Sequence, residues 1–111
     1  MAYTLRWTET ADATYTALRS DAEKQQAAGK TSSRQIGTFK QIAKAIRLLR
    51  DNPRHPSLHT HEYSGIENPF DPDARLWEAY AQNKTPSAYR VFWSYGPGRD
   101  ELTTIAITSH P

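Results

Sequence analysis

The apolar residues of this chain change their spacing once, at Asn52-Pro53. Before that point they recur at helical intervals. Ala11, Tyr15, Leu18 and Ala22 form one stripe; Phe39, Ile42, Ala43, Ile46 and Leu49 form another. Steps of three and four gather such residues on one side of a helix. After Pro53 the period is two, which sends alternate side chains to opposite faces of a strand. A proline pushes the residue before it out of the α region, so the second helix has to stop at Asn52. A break of this kind predicts helices first and a run of strands after them.

The ends of these elements can be placed from single residues. Tyr3, Leu5 and Trp7 alternate and predict a half-buried strand over 3–7. Thr8 or Thr10 offers an N-cap for the first helix, and Glu9 and Asp12 suit the positive end of its dipole. Gly29 suits the left-handed residue that ends it. The second helix starts at Ser32 or Ser33, and Ser32 with Gln35 fits a capping box. The short connection makes the pair an antiparallel αα-hairpin. Strands are expected over 58–63, 75–82, 88–95 and 101–108, with loops at 66–73, 83–87 and 96–100. The order β-α-α-β-β-β-β predicts an α+β fold of two layers: an N-terminal strand, the helical hairpin and a four-stranded antiparallel sheet.

Composition sets limits on function. The 111 residues suit one domain, 1–111. There is no cysteine, which excludes disulfides and thiolate zinc sites. No apolar run approaches the ~20 residues of a membrane span. MAYTLRW lacks the apolar core of a signal peptide, so a soluble cytoplasmic protein is expected. Net charge is only +2, but it is unevenly spread. Lys30, Arg34, Lys40, Lys44, Arg47, Arg50 and Arg54 face one anion, Asp51, within a single segment. Lys40, Lys44 and Arg47 form an outward stripe on the second helix, with Arg50 on its flank. Such an element attracts phosphate or an acidic protein, or is simply a solvated helix face.

Residues 52–65 read NPRHPSLHTHEYSG and hold His55, His59 and His61. Three uses compete: a metal site, a part of a catalytic centre, or a turn leading into a strand. Two histidines on one strand face plus Glu62 or Asp71 could bind zinc, but Glu62 has the opposite parity. No metal and no cofactor is expected.

The stretch LLRDNPRHPSLHTHEYSG, followed by LWEAY, YRVFWSY and a closing IAITSH, resembles the RelE/ParE superfamily. These are the toxins of bacterial type II toxin–antitoxin pairs, and the resemblance runs from about Tyr3 to His110. It implies a cognate antitoxin as partner. The RelE-like and HigB-like branches cut mRNA on the ribosome; the ParE-like branch inhibits DNA gyrase and cuts nothing. A third option is a relative that only binds its antitoxin.

Cutting RNA requires a base for the 2′-hydroxyl, an acid for the leaving 5′-oxygen and charge for the phosphorane. Histidine suits the proton steps and arginine the charge. The resemblance implies Arg90, in YRV, as the phosphate arginine, and His61 and His110 as the HigB-like histidines. Parity places Arg90 on the strand face opposite Tyr89, Val91 and Trp93, where pairing with Glu78 is the plain structural alternative. Lys40, Lys44, Arg47, Arg50, Arg54, His55, His59, Arg75 and Tyr80 are the expected RNA contacts. Tyr80, Trp93 and Tyr95 are candidates to stack on bases, or else core residues. The chain departs from the pattern at LWEAYAQ, where it has Tyr80 in place of an arginine and no lysine. That speaks against the RelE-type constellation and leaves a HigB-like histidine mechanism, a ParE-like non-nuclease or a decayed toxin. Two histidines and an arginine converging on one face would speak for cleavage.

Overall fold

The computed structural model describes residues 2–65, 67–82 and 87–109. The elements are β1 (Thr4–Trp7), α1 (Glu9–Ala27), α2 (Arg34–Asp51), a 3-10 turn (Pro56–Leu58), β2 (His61–Tyr63), β3 (Leu76–Tyr80), β4 (Tyr89–Tyr95) and β5 (Glu101–Ser109). The order is the one the hydrophobic periods predict. No described helix is long and apolar enough to cross a membrane.

Thr8 starts α1. Its hydroxyl accepts from the Ala11 amide at 3.0 Å and donates to the Ile105 carbonyl at 2.7 Å. One side chain therefore caps the helix and ties it to β5. Thr8→Ala is expected to cost about 2 kcal/mol, one cap and one hydrogen bond together. Thr8→Ser, which keeps the hydroxyl, should lose less; urea midpoints compare the two. Gly29, at φ +83, ends the helix as expected. Ser33 caps α2 by accepting from the Ile36 amide, one residue later than a Ser32–Gln35 box requires.

The five strands form one mixed sheet in the order β1-β5-β4-β3-β2. This corrects the expected four-stranded antiparallel sheet with a separate N-terminal strand. β1 lies parallel to β5, with Leu5 opposite Leu102 and Trp7 opposite Thr104, and the other pairs are antiparallel. The helical hairpin explains the arrangement. It carries the chain across one sheet face, from the β1 edge to the β2 edge, and the strands then return towards β1.

The helices cover that face. Ile42, Ala45, Ile46 and Leu49 pack on Leu58, Ala79, Val91, Trp93, Leu102 and Ile107. The buried stripe of α2 thus runs through Ala45, and Ala43 is only half-buried. Positions 42, 45, 46 and 49 are the tighter i, i+3, i+4, i+7 set. On the far face a smaller cluster forms from Leu76, Phe92 and Ile105, with Tyr63 and Ala106 against it. A bulge between Phe92 and Trp93 shifts the register of β4 on β5.

Two strand bounds move inward. The strand expected over 58–63 begins only at His61, because Pro56–Leu58 winds into a 3-10 turn. His59 then takes a left-handed conformation at φ 48. The strand expected over 75–82 spans Leu76–Tyr80. The expected turn at 83–87 lies outside the described residues except for Ser87.

Candidate active site

The sheet face away from the helices carries the polar side chains. Residues directly opposite each other in paired strands point to the same side. His61 pairs with Glu78, Glu78 with Phe92, and Tyr80 with Arg90. Alternation therefore delivers an imidazole, a carboxylate, a phenol and a guanidinium from three strands to one patch.

The Tyr80 ring is its centre. The Arg90 guanidinium lies over it, 3.8 Å from the ring centroid. The His59 and His61 rings approach at 5.4 and 5.6 Å. His59 reaches this position from the left-handed corner before β2, so the two histidines do not share a strand face as the spacing suggested. They converge nonetheless.

Glu78 is 4% exposed, and a carboxylate so placed is costly unless it is paired. Its partner is His61, with Nε2 at 2.6 Å from Oε1. The other nitrogen of His61, Nδ1, lies 2.9 Å from the His59 carbonyl oxygen. A carbonyl can only accept, so Nδ1 carries a hydrogen. The second oxygen of Glu78 has no partner among the described residues.

Arg90 is 8% exposed and does not pair with Glu78. Its Nη1 donates to the carbonyls of Gln82 at 2.6 Å and Tyr89 at 3.2 Å. Its Nε has no acceptor among the described residues. The charge is thus fixed in place by backbone and by stacking on Tyr80, and no carboxylate among the described residues pairs with it. A cation over an aromatic face contributes about 0.5–2 kcal/mol.

The other expected residues are distributed differently. His110 lies outside the described residues. Lys40, Lys44 and Arg47 are exposed on α2, on the layer behind the sheet and away from the patch. Arg50 pairs with Asp51 at 3.4 Å and Arg75 with Glu62 at 3.6 Å. Arg54 and His55 sit at the turn after α2, where the His55 Nδ1 accepts from the Ser57 amide. Trp93 is fully buried and cannot stack on a base, and Tyr80 already has Arg90 on one face. Glu78 is the residue that sequence reasoning underrated. Its signal was an acid at a core-flanking position of LWEAY, but its role depends on the register that sets it against His61. No group of three or more His, Cys, Asp or Glu side chains among the described residues is arranged to hold a metal.

No family model matches the chain, and no curated protein matches it by sequence. Solved structures do share its fold. A chain of the archaeal RelE–RelB complex from Pyrococcus horikoshii OT3 superposes with a TM-score of 0.57 at 14% identity, covering 98% of this chain and 96% of that one. The YoeB/ParE toxin from Agrobacterium tumefaciens gives 0.56 at 16% identity, covering 97% and 99%. A chain of the E. coli DinJ–YafQ toxin–antitoxin complex gives 0.53 at 10% identity, covering 99% and 94%. The fold is RelE-like.

Proposed function

We propose that this chain is the toxin of a type II toxin–antitoxin pair and cuts mRNA on the ribosome in the cytoplasm. The observation that carries the reading is the convergence of His59, His61 and Arg90 on Tyr80, beside buried Glu78. The resemblance of the sequence and the shared fold with RelE, YoeB/ParE and YafQ structures support it. A cognate antitoxin is the implied partner.

The chemistry follows from which bonds can be given up. To act on RNA, His61 must exchange one of its two hydrogen bonds for a substrate oxygen. Releasing Nε2 would leave the Glu78 carboxylate buried and unpaired, which is expensive. Releasing Nδ1 frees only a backbone carbonyl. Glu78 therefore holds Nε2, and Nδ1 turns to the substrate, as a carboxylate orients the working histidine in a catalytic triad. With Nε2 protonated and Nδ1 bare, the ring takes the proton of the 2′-hydroxyl. With both nitrogens protonated, it gives one to the leaving 5′-oxygen. One histidine in one state serves one step, so a second group has to serve the other, and His110 is the residue that the sequence nominates. Arg90, held over Tyr80, supplies positive charge to the phosphorane.

One feature favours a second reading. Arg90 spends Nη1 on backbone carbonyls, and both nitrogens of His61 are engaged. An imidazole and a guanidinium engaged in this way also fit a protein that only binds, whether a gyrase inhibitor or an antitoxin-binding relative. Inducing the chain in bacteria and mapping mRNA 5′ ends separates the two. Cleavage at ribosomal A sites is expected. Intact mRNA accompanied by DNA damage would establish the gyrase reading instead, and unimpaired growth the binding-only one.

A further inference from the structure

A second cleft of about 250 Å³ opens on the helix side of the sheet, beyond the end of α2. Its walls include Arg54, His55, His59, Trp77, Trp93 and Tyr95. Trp77 and Trp93 are near-parallel at 6.1 Å, and Tyr95 meets both rings edge-on. Trp93 is fully buried and forms the floor; its Nε1 has no acceptor among the described residues. Tyr95 is 44% exposed, a large share for an aromatic ring in a central strand.

The rim is cationic. The side chain of Arg54 is exposed and pairs with no carboxylate among the described residues. His55 accepts the Ser57 amide on Nδ1, which puts the ring hydrogen on Nε2 and makes that atom a donor. Flat aromatic walls take a base, and a guanidinium fork beside a fixed N–H donor takes a phosphate. The volume is just below the ~300–1,000 Å³ of small-molecule pockets, which suits a single nucleotide.

We propose that this cleft is a nucleotide site: the base lies against Trp77 and Tyr95, and the phosphate on Arg54 and His55. His59 borders both this cleft and the Tyr80 patch, so an RNA strand can pass from one to the other around the end of β3. The site requires no cleavage. It therefore stands or falls separately from the activity proposed above.

The test is titration of the full chain with adenosine 5′-monophosphate, cytidine 5′-monophosphate and a trinucleotide RNA, following tryptophan fluorescence. Saturable quenching is expected, because Trp77 lies at the contact. Adenosine without its phosphate should bind about tenfold or more weakly, and so should the nucleotide to Arg54→Ala. Trp77→Leu should lose between about five- and a hundredfold. If Trp77→Leu does not fold, Arg54→Ala decides alone, since its side chain lies outside the core. A trinucleotide that binds at least about tenfold tighter than the mononucleotides marks a station on an RNA strand; equal affinity marks a site for free nucleotide. The absence of saturable quenching by any of the three overturns the proposal. So does binding to Arg54→Ala at unchanged affinity. Repeating the titration with His61→Ala measures the cleft in a chain without its working histidine, so loss of cleavage and loss of this site remain distinguishable.

Discussion

His61→Ala is expected to lower the rate of RNA cleavage by about 10²–10⁴-fold, the usual contribution of a positioned proton-transfer group. The same substitution strips Glu78 of its partner. A buried acceptor left without a donor costs about 1–3 kcal/mol, and a charged one more. Lost activity could then reflect lost folding, and a second variant separates the two. Pairing His61→Ala with Glu78→Gln removes the buried charge, so most of the stability should return while cleavage stays absent. Non-additivity of this kind is the mark of two groups in direct contact. Glu78→Gln alone should keep the fold and still slow cleavage, because an amide binds Nε2 without stabilising the imidazolium. Cleavage assays on programmed ribosomes and urea unfolding, run on all three variants, give the comparison. If His61→Ala cleaves at the rate of the parent chain, the site assignment fails.

Trp93→Ala should produce the largest loss of stability, about 3–5 kcal/mol. The ring is fully buried in the middle of β4, stacks on Trp77 at 6.1 Å and meets Tyr95 at 4.9 Å. It belongs to the core on which Ile42, Ala45, Ile46 and Leu49 of α2 pack. Removing it opens a cavity between the layers, and a domain of this size holds only about 5–15 kcal/mol in all. Trp93→Phe retains an apolar ring and gives up an indole N–H that has no acceptor among the described residues, so it should cost clearly less. Urea midpoints measure both variants. A loss of less than ~1 kcal/mol for Trp93→Ala would show that β4 is not the centre of this core.

The fold was legible in the sequence wherever a local rule decides. Asn52-Pro53 ends α2 because a proline follows, and the change of period there fixes the order of helices and strands. Thr8 and Gly29 act as their residue types suggest. Tertiary partners hid the rest. No local pattern says that β1 joins β5 in parallel, since that pairing links Thr4 to Glu101 across nearly the whole chain. The same holds for the patch. Arg90 could be assigned a face by parity alone. The choice of His61 over Arg90 as the partner of Glu78 depends on the β2–β3 register, and β2 itself starts only after the 3-10 turn at Pro56–Leu58. The turn in turn shortened a strand that alternation had drawn too long.

The parallel pairing of β1 with β5 also bears on timing. β1 comes first among the elements, and its sheet neighbour among the described residues is β5, the farthest from it in sequence. β1 cannot pair, and the helices cannot complete their contact with Leu102 and Ile107, until residues beyond Glu101 have been made. Contacts of such long sequence separation form late and slow folding. A nascent or prematurely ended chain therefore has no finished sheet. The open face is framed only once β5 has joined β4 on one side and β1 on the other.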